Sequence, residues 1–239
     1  MQGIVVENLS VSYHRKTALH GVSLAIPQGS ICGLVGMNGS GKSTLFKAIM
    51  GFVTPTSGQV WIAGMGVRRA QKQNLIAYMP QSEEVDWQFP VRVWDVVLMG
   101  RYAKMNFLRI PSQQDRAIAH ASLAKVGMIE YKDRPIGELS GGQKKRTFMA
   151  RVLAQQSKIL LLDEPFAGVD IPTEKAMIEL LLELKEMDYT ILISTHNLES
   201  VATFCDRTIL INRTILAYGA TAEVFTAENL HRTFFVGRG

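Results

Sequence analysis

The sequence is poor in cysteine and contains no apolar run long enough to cross a membrane. Two cysteines among 239 residues exclude a fold that depends on a network of disulfide bonds. No apolar stretch approaches the roughly 20 residues of a transmembrane helix. The first ten residues also lack a basic segment followed by an apolar one, which excludes a secretory signal peptide. These absences predict a soluble, cytoplasmic protein.

Charges of both signs are scattered, and no long basic or acidic run occurs. Lysine and arginine number 26 against 21 aspartates and glutamates, so the formal net charge is +5. A weakly basic chain suits an anionic ligand, nucleic acid or the cytoplasmic face of a membrane, and the charge alone does not choose among them. The lack of a long basic run argues against nucleic acid as a partner. The 5 histidines form no cluster at metal-ligand spacing. A hydrophobic fraction of 47% supplies a sizeable core and excludes a disordered chain.

Short apolar runs alternate with helical patterns along most of the chain, which predicts an α/β fold with a mostly parallel sheet. From about residue 84 to residue 135 the pattern is helical instead, and Ser112 to Asp115 has the spacing of an N-terminal capping box. The helix that follows this box is expected to end near Gly127. Predicted strands cover residues 3–9, 19–26, 31–35, 59–63, 75–79, 158–162, 190–194, 208–211 and 214–218, and predicted helices cover 42–50, 174–187 and 197–204.

A glycine-rich loop follows the strand predicted over residues 31–35. Residues 36–43 read Gly-Met-Asn-Gly-Ser-Gly-Lys-Ser, which is the spacing of a phosphate-binding loop between a strand and a helix. Glycines let the backbone wrap around phosphate, and amide hydrogens at the start of the helix point at the anion. Lys42 adds positive charge at the terminal phosphates, and the Ser43 hydroxyl is a ligand for Mg²⁺. The nucleotide-binding residues predicted in this segment are Gly36, Asn38, Gly39, Ser40, Gly41, Lys42, Ser43 and Thr44.

Two adjacent carboxylates end a second buried strand. Residues 159–165 read Ile-Leu-Leu-Leu-Asp-Glu-Pro. Because the carboxyl ends of parallel strands meet at one edge of a sheet, Asp163 is expected beside the phosphate loop, where it can hold Mg²⁺. Glu164 follows it and can polarise an attacking water. Strands often end in charged residues, so this pattern alone is a weak signal. It indicates a nucleotide site because a phosphate loop precedes it in the chain.

A third segment, Leu139-Ser140-Gly141-Gly142-Gln143, precedes a predicted helix. With this segment the chain resembles the ATP-binding subunits of ABC transporters, and the resemblance covers nearly the whole chain. The segments stand in the order of that family. The phosphate loop comes first, then Gln81 after the strand 75–79, then the signature at 139–143, then Asp163 and Glu164, and last His196 after the strand 190–194.

The resemblance implies roles for residues outside the three segments. Gln81 is similar to the glutamine that reaches the Mg²⁺ site, and His196 is similar to the histidine that contacts the γ-phosphate. Both are therefore grouped with Glu164 as catalytic residues, and Ser43, Gln81 and Asp163 as ligands of the Mg²⁺ bound with ATP. Tyr13 matches the aromatic residue that stacks on adenine. Further nucleotide contacts are implied for Ser140, Gly141, Gly142, Gln143 and Asp170.

The resemblance also implies an architecture and partners. We expect one ABC ATPase domain over residues 1–239, with a P-loop core, an N-terminal antiparallel β part and a helical subdomain inserted at approximately 84–138. The helix after Ser140 is a second anion site, and the family brings it to ATP through a head-to-tail homodimer. A separate transmembrane permease would follow the dimer's movement, and an extracytoplasmic metal-binding lipoprotein would act indirectly. The chain would then lie on the inner face of the cell membrane.

Three stretches of the chain look like the manganese, zinc and iron importers of bacteria. They cover residues 79–91, 99–102 and 164–170. Manganese is the first expectation for the cargo, and iron or zinc the next. One alternative is an importer of siderophores, haem or cobalamin. Another is a soluble ABC ATPase without a transporter, although such proteins often carry tandem nucleotide domains or long coiled-coil inserts, which this sequence lacks.

Aromatic residues are concentrated in the expected insert. Between Arg92 and Arg116 five positive and two negative charges give a local excess of +3. Trp94 fits the core of a small helical subdomain as well as it fits a binding surface. The other three aromatics are expected to form a groove for a short permease helix; they are Trp87, Phe89 and Tyr102. Lys144 and Lys145, which follow the signature, are expected to be solvated.

Overall fold

The computed structural model describes residues 2–14, 16–81 and 91–234. Strands and helices alternate over most of this range, in the order expected from the apolar runs. The strands are β1 (Gln2–Tyr13), β2 (Lys16–Pro27), β3 (Ile31–Val35), β4 (Ser57–Ile62), β5 (Met65–Gly66), β6 (Ile76–Met79), β7 (Ile159–Asp163), β8 (Thr190–Ser194), β9 (Arg207–Asn212) and β10 (Thr214–Ala220). The helices are α1 (Lys42–Ile49), α2 (Val67–Lys72), α3 (Val93–Met99), α4 (Gln113–Lys125), α5 (Gly141–Gln155), α6 (Ile171–Glu186), α7 (Leu198–Phe204), α8 (Thr221–Val224) and α9 (Ala227–Phe234), with short 3₁₀ turns at Ile129–Tyr131 and Ile136–Glu138.

Two sheets divide the strands between them. The first is antiparallel in the order β2-β1-β4-β5, and the second has six strands in the order β10-β9-β3-β8-β7-β6. In the second sheet β9, β3, β8, β7 and β6 run parallel, and only β10 is antiparallel to its neighbour. Every residue of β3, β7 and β8 is buried, as continuous apolar runs require. The expected combination of a mostly parallel sheet with an antiparallel N-terminal part is confirmed.

The N-terminal hairpin is longer than the sequence pattern indicated. Residues 12–17 are polar and were expected to join two short strands, but Ser12 pairs with Thr17 and Tyr13 with Lys16. Antiparallel backbone pairing continues there without apolar side chains, because its hydrogen bonds need only main-chain groups. Helix α6 also begins earlier than expected, since Asp170 caps it and a proline occupies its first turn.

Helices α3, α4 and α5 pack together beside the parallel sheet. The capping box at the start of α4 is confirmed, with Ser112 and Asp115 exchanging side-chain and backbone hydrogen bonds. Asp115 also forms a buried ion pair with Arg101 at 3.0 Å, and Arg101 donates a second bond to the carbonyl of Ala154 on α5. Trp94 is half-buried and packs on this core, which favours the core interpretation for that residue.

Candidate functional site

The glycine-rich loop lies between the buried strand β3 and helix α1. Gly41 precedes the helix with φ of 103°, a conformation that L side chains rarely adopt. A Cβ on Gly36 would stand 2.3 Å from the carbonyl oxygen of Ile211 and 2.5 Å from the Ser40 hydroxyl. Glycine at these two positions is therefore required by backbone conformation and by close approach. The result is a tight loop at the carboxyl end of β3 with the amides of α1 behind it.

Lys42 carries its charge into this loop. Its ammonium donates hydrogen bonds to the carbonyl of Gly36 at 2.8 Å and to that of Met37 at 3.1 Å. The residue is 6% exposed. Burial lowers the pKa of the ammonium, and the nearby carboxylates of Glu164 and Asp163 oppose that shift. A cation and a row of backbone amides thus face one small space, which is the chemistry that recognises phosphate.

A cavity of about 330 Å³ opens at the loop. Most of its wall comes from the segment predicted to bind phosphate, and residues from two distant strand ends complete it. The lining residues are Ala18, Asn38, Gly39, Gly41, Lys42, Ser43, Thr44, Gln81 and Glu164. The structure therefore brings the phosphate loop, the glutamine after β6 and the second carboxylate of the β7 strand to a single site.

Glu164 is held on both carboxylate oxygens by residues from other strand ends. The Gln81 amide donates to Oε2 at 2.7 Å, and His196 Nε2 lies 2.5 Å from Oε1. Glu164 is buried, whereas the His196 side chain is 47% exposed. Gln81, Glu164 and His196, which the resemblance grouped as catalytic residues, therefore form one connected cluster at the carboxyl edge of the sheet.

The backbone of Glu164 is also unusual, with φ of 52° in the left-handed region. Its amide donates to the Ser194 carbonyl at 3.1 Å and to the Ser194 hydroxyl at 3.0 Å. The same hydroxyl donates to Asp163 Oδ1 at 2.5 Å. Ser194 therefore orients the Asp163 carboxylate and holds the backbone of Glu164. No motif in the sequence points to Ser194; its position at the end of β8, on the shared sheet edge, was the available signal.

The signature segment lies away from the phosphate loop. Ser140 caps α5 by accepting a bond from the Gln143 amide at 3.3 Å, and Gln143 reaches back to the Ser140 amide at 2.9 Å. Gly141 and Gly142 face the Gly168 carbonyl, which lies within 4.0 Å of an added Cβ at either glycine. The structure thus brings the signature beside the segment before Asp170 and not beside Lys42.

Asp170 has a clear local role in this chain. Its carboxylate accepts hydrogen bonds from the Thr173 amide at 2.9 Å and from the Thr173 hydroxyl at 3.0 Å, and so caps α6. These bonds hold the pKa of the carboxyl below its usual range. The capping role accounts for an aspartate here without a nucleotide contact.

Lys145 corrects one expectation from the sequence. It was expected to be solvated, but it is half-buried and its ammonium donates to the Gln81 carbonyl at 2.7 Å. The contact joins the signature helix to the residue whose side chain binds Glu164. Nothing in the sequence spacing could reveal it, because the two residues stand 64 positions apart.

Four aromatic residues were expected to contact adenine or a permease helix, and the structure describes two of them. Tyr13 lies at the end of β1 and is 42% exposed, outside the set of residues that line the phosphate-loop cavity. Tyr102 is 43% exposed, beyond the end of α3. Trp87 and Phe89, which were expected to form the groove with Tyr102, lie outside the described residues.

A larger cleft of about 710 Å³ lies between α1, the end of β6 and the helices α3 and α5. Ser43, Gln81 and Asp163 all line it. These three residues supply hydroxyl, amide and carboxylate oxygens, the ligand types that Mg²⁺ takes. Apolar and basic side chains complete the cleft; among them are Phe52, Tyr78, Met99 and Arg151.

Two features are absent from the part of the chain that the structure describes. Residues 2–14, 16–81 and 91–234 contain no group of three or more histidine, cysteine, aspartate or glutamate side chains arranged to hold a metal ion. Within the same ranges, no helix has the length and apolarity needed to span a bilayer.

The fold and the site define a P-loop ATPase in which a buried glutamate follows a buried strand beside the phosphate loop. The ABC transporter family model matches residues 19–167, and the chain belongs to this family. It is an ATPase of the ABC transporter class, and the ATP-binding subunits of such transporters work with a membrane permease.

Individual relatives are similar to this chain over nearly its full length. The "Manganese transport system ATP-binding protein MntA" of Synechocystis is 61% identical over 97% of this chain and 89% of its own length. The "Chelated iron transport system membrane protein YfeB" of Yersinia pestis is 57% identical over 97% of this chain and 78% of its own. A solved structure of a metal-chelate type ABC transporter in an inward-facing conformation matches with a TM-score of 0.85 at 29% identity, over 97% of this chain and 88% of that one.

Proposed function

We propose that this chain is the ATP-hydrolysing subunit that powers uptake of a divalent metal through a separate membrane permease. The observation that carries the proposal is the position of Glu164, which lines the phosphate-loop cavity and is bonded to Gln81 and His196. A carboxylate held beside a phosphate site is suited to orient or deprotonate the attacking water.

Manganese is the first choice for the cargo, and iron or zinc the next. The relative at 61% identity is named for manganese transport, and the relative at 57% is named for chelated iron. The cargo is not expected to touch this chain, because the described residues offer no cluster of metal ligands. Selection of the metal then belongs to the permease and to an extracytoplasmic metal-binding lipoprotein.

The phosphate loop has the groups needed to bind MgATP. Backbone amides from Gly36 to Thr44 and the ammonium of Lys42 would hold the β- and γ-phosphates. Ser43, Gln81 and Asp163 line one cleft and would hold the Mg²⁺, which neutralises charge on the phosphates when bound. His196 would contact the γ-phosphate, since its ring already meets Glu164, which lines the phosphate-loop cavity.

A head-to-tail homodimer would complete the site. Ser140, Gly141, Gly142 and Gln143 form a helix start that faces the Gly168 segment and not the chain's own phosphate loop. A second copy would place this helix start on the γ-phosphate, where its amides favour an anion. Tyr13 would stack on adenine, and Asp170 would lie at the contact between the two copies.

The permease would seat a short helix in the larger cleft. Phe52, Met99 and Tyr102 are exposed apolar side chains in and beside this cleft, and such residues commonly anchor an interface. Gln81 lies on the same cleft, so the permease and the nucleotide site would share a wall. The chain would then lie at the inner face of the cell membrane. The helices between residues 84 and 138 would then form the subdomain that receives the permease.

Titration of ATP into a Lys42→Ala variant tests the nucleotide part of the proposal. Loss of the buried ammonium should weaken ATP binding by about 10- to 100-fold and leave the fold intact. Lys72→Ala is the matched control, because Lys72 is exposed on α2 and lines neither the phosphate-loop cavity nor the larger cleft. Equal ATP affinity in the Lys42→Ala and wild-type proteins would contradict the proposal.

Metal uptake by the reconstituted complex tests the transport part. The chain should co-purify with its permease, and ATP should drive uptake of manganese in preference to iron and zinc. Uptake of a chelate only would favour the siderophore, haem or cobalamin alternative. Failure to recover any permease would favour a soluble ATPase.

A further inference from the structure

The turn that follows α3 exposes more apolar surface than any role described above requires. Phe107 is 98% exposed, Leu108 is 70% exposed and Ile110 is 58% exposed. We call residues 106–110 the apolar turn. Clusters of exposed large apolar side chains usually mark a surface that contacts another molecule.

The apolar turn is held in shape by its own hydrogen bonds. Asn106 accepts bonds from the Arg109 amide at 3.0 Å and from the Ile110 amide at 3.2 Å. Arg109 bonds the Tyr102 carbonyl, and its guanidinium lies 5.6 Å from the centre of the Tyr102 ring. The exposure of the three apolar side chains is therefore a property of an ordered turn.

The base of the turn is anchored in the core. Arg101 is buried in an ion pair with Asp115 at 3.0 Å, and half-buried Met105 packs on the same core. A rigid base lets the apolar side chains reach outward without loss of core packing, so substitution at the tip should leave the fold unchanged.

The exposed charges that flank the turn along the chain are all positive. From residue 96 to residue 114 the sequence contains no aspartate or glutamate. Arg101 in this stretch is neutralised by Asp115 within the core, whereas Lys104, Arg109 and Arg116 are exposed. Exposed aromatic and aliphatic side chains flanked by cations are the composition of segments that bind at the surface of anionic membranes.

The position of the apolar turn in the chain is consistent with a contact to an anionic membrane. Gly100 lines the cleft in which the permease helix would sit, and the apolar turn begins six residues later. With a permease helix in this cleft, a turn that begins six residues away would lie close to the membrane.

We propose that the apolar turn inserts Phe107, Leu108 and Ile110 into the headgroup region of an anionic lipid leaflet, with Lys104 and Arg116 on the lipid phosphates. The orientation rests on the function proposed above, but the lipid contact does not require the permease. A phospholipid surface is favoured over a protein groove because cations flank the exposed apolar side chains along the chain, and none of these side chains lines the two cavities described above.

A fluorescent label on the full-length chain tests the contact without the permease. Both native thiols are buried, and burial raises the pKa of Cys205 to about 12 and that of Cys32 still further. A maleimide dye that senses polarity will therefore react selectively at an introduced Phe107→Cys. Met187→Cys is the matched control, since Met187 is also an exposed apolar residue, at 52%, but follows α6.

The probe is a vesicle of phosphatidylcholine with or without phosphatidylglycerol. The dye at position 107 should shift to the blue with vesicles that contain phosphatidylglycerol, and the dye at position 187 should not. Co-sedimentation of the unlabelled chain should fall by about tenfold in a variant with Phe107→Ser and Leu108→Ser, and also in a Lys104→Glu variant.

Equal shifts at positions 107 and 187, or equal binding to both vesicle types, would overturn the proposal. So would loss of permease co-purification in the Phe107→Ser and Leu108→Ser variant with its vesicle binding unchanged, because the turn would then contact protein. ATP titration on the same variants separates the two proposals. Intact ATP affinity without vesicle binding contradicts only the lipid contact.

Discussion

The phosphate loop and the Glu164 cluster do one chemical task but are assembled in different ways. Strand β3, the loop and α1 are consecutive in the chain, and glycine shapes the loop through close approach at Gly36 and through backbone conformation at Gly41. The Glu164 cluster draws on the ends of three strands, with Gln81 and Glu164 separated by 83 positions. The first region is local, whereas the second exists only when β6, β7 and β8 lie side by side.

This difference separates binding from turnover. The loop offers backbone amides and a cation, groups that suit a phosphate and that come from one continuous stretch of the chain. The cluster positions one carboxylate through contacts with Gln81, Ser194 and His196. Substitutions in the cluster should therefore affect hydrolysis, and substitutions in the loop should affect binding.

The largest effect is expected for Glu164→Gln. An amide keeps the size of the side chain but cannot accept a proton from water, so hydrolysis should slow by about 10²–10⁴-fold. ATP binding should persist, and a dimer with bound ATP should accumulate. Phosphate release and size-exclusion chromatography with ATP measure the two outcomes.

Glu183→Gln serves as the control for the loss of a carboxylate, because Glu183 is exposed on α6. Normal hydrolysis by the Glu164→Gln variant would mean that another residue acts as the general base. The division into one region for binding and one for hydrolysis would then be wrong. His196→Ala should likewise reduce turnover more than it reduces ATP affinity.

An intermediate effect is expected from two alanine substitutions within the phosphate loop. Gly36→Ala places a Cβ 2.3 Å from the Ile211 carbonyl oxygen and should lower the free energy of unfolding by about 2–3 kcal/mol. Gly39 has φ of 78° and open space around it, so Gly39→Ala should cost only about 1 kcal/mol. Urea denaturation of both variants measures the difference. Equal decreases in the free energy of unfolding of the two variants would show that the close approach at Gly36 does not constrain the loop.

The smallest effect is expected for Lys145→Ala. Its ammonium holds the Gln81 carbonyl, so its loss should reduce turnover by about tenfold or less without changing the KM for ATP. In a Gln81→Ala background the same substitution should have no further effect, because Lys145 acts through Gln81. Lys145→Arg, which retains a cationic donor, should recover part of the rate.

Lys144→Ala is the matched control for this cycle, since it removes the same charge from the adjacent position on α5. Additive losses from Lys145→Ala and Gln81→Ala would assign Lys145 a role independent of Gln81. The Glu164 cluster would then end at Gln81 and would not extend to the signature helix.

The sequence by itself determined the features of this protein that depend on residues close together in the chain. The spacing of residues 36–43, the apolar strand before Asp163 and the capping box at Ser112 each depend on neighbours within one element, and the structure contains the predicted strand, loop and helices there. Such features can be predicted because backbone conformation and hydrogen bonding over a few residues follow from residue type.

Only the tertiary structure decided the contacts between elements. The bond from Ser194 to Asp163, the bond from Lys145 to Gln81 and the left-handed backbone of Glu164 have no signal in residue spacing. The exposure of Phe107 was equally hidden, since an apolar residue in a helical insert is expected to face a core. Burial and long-range hydrogen bonds depend on which elements pack together, and one sequence pattern is compatible with several such packings.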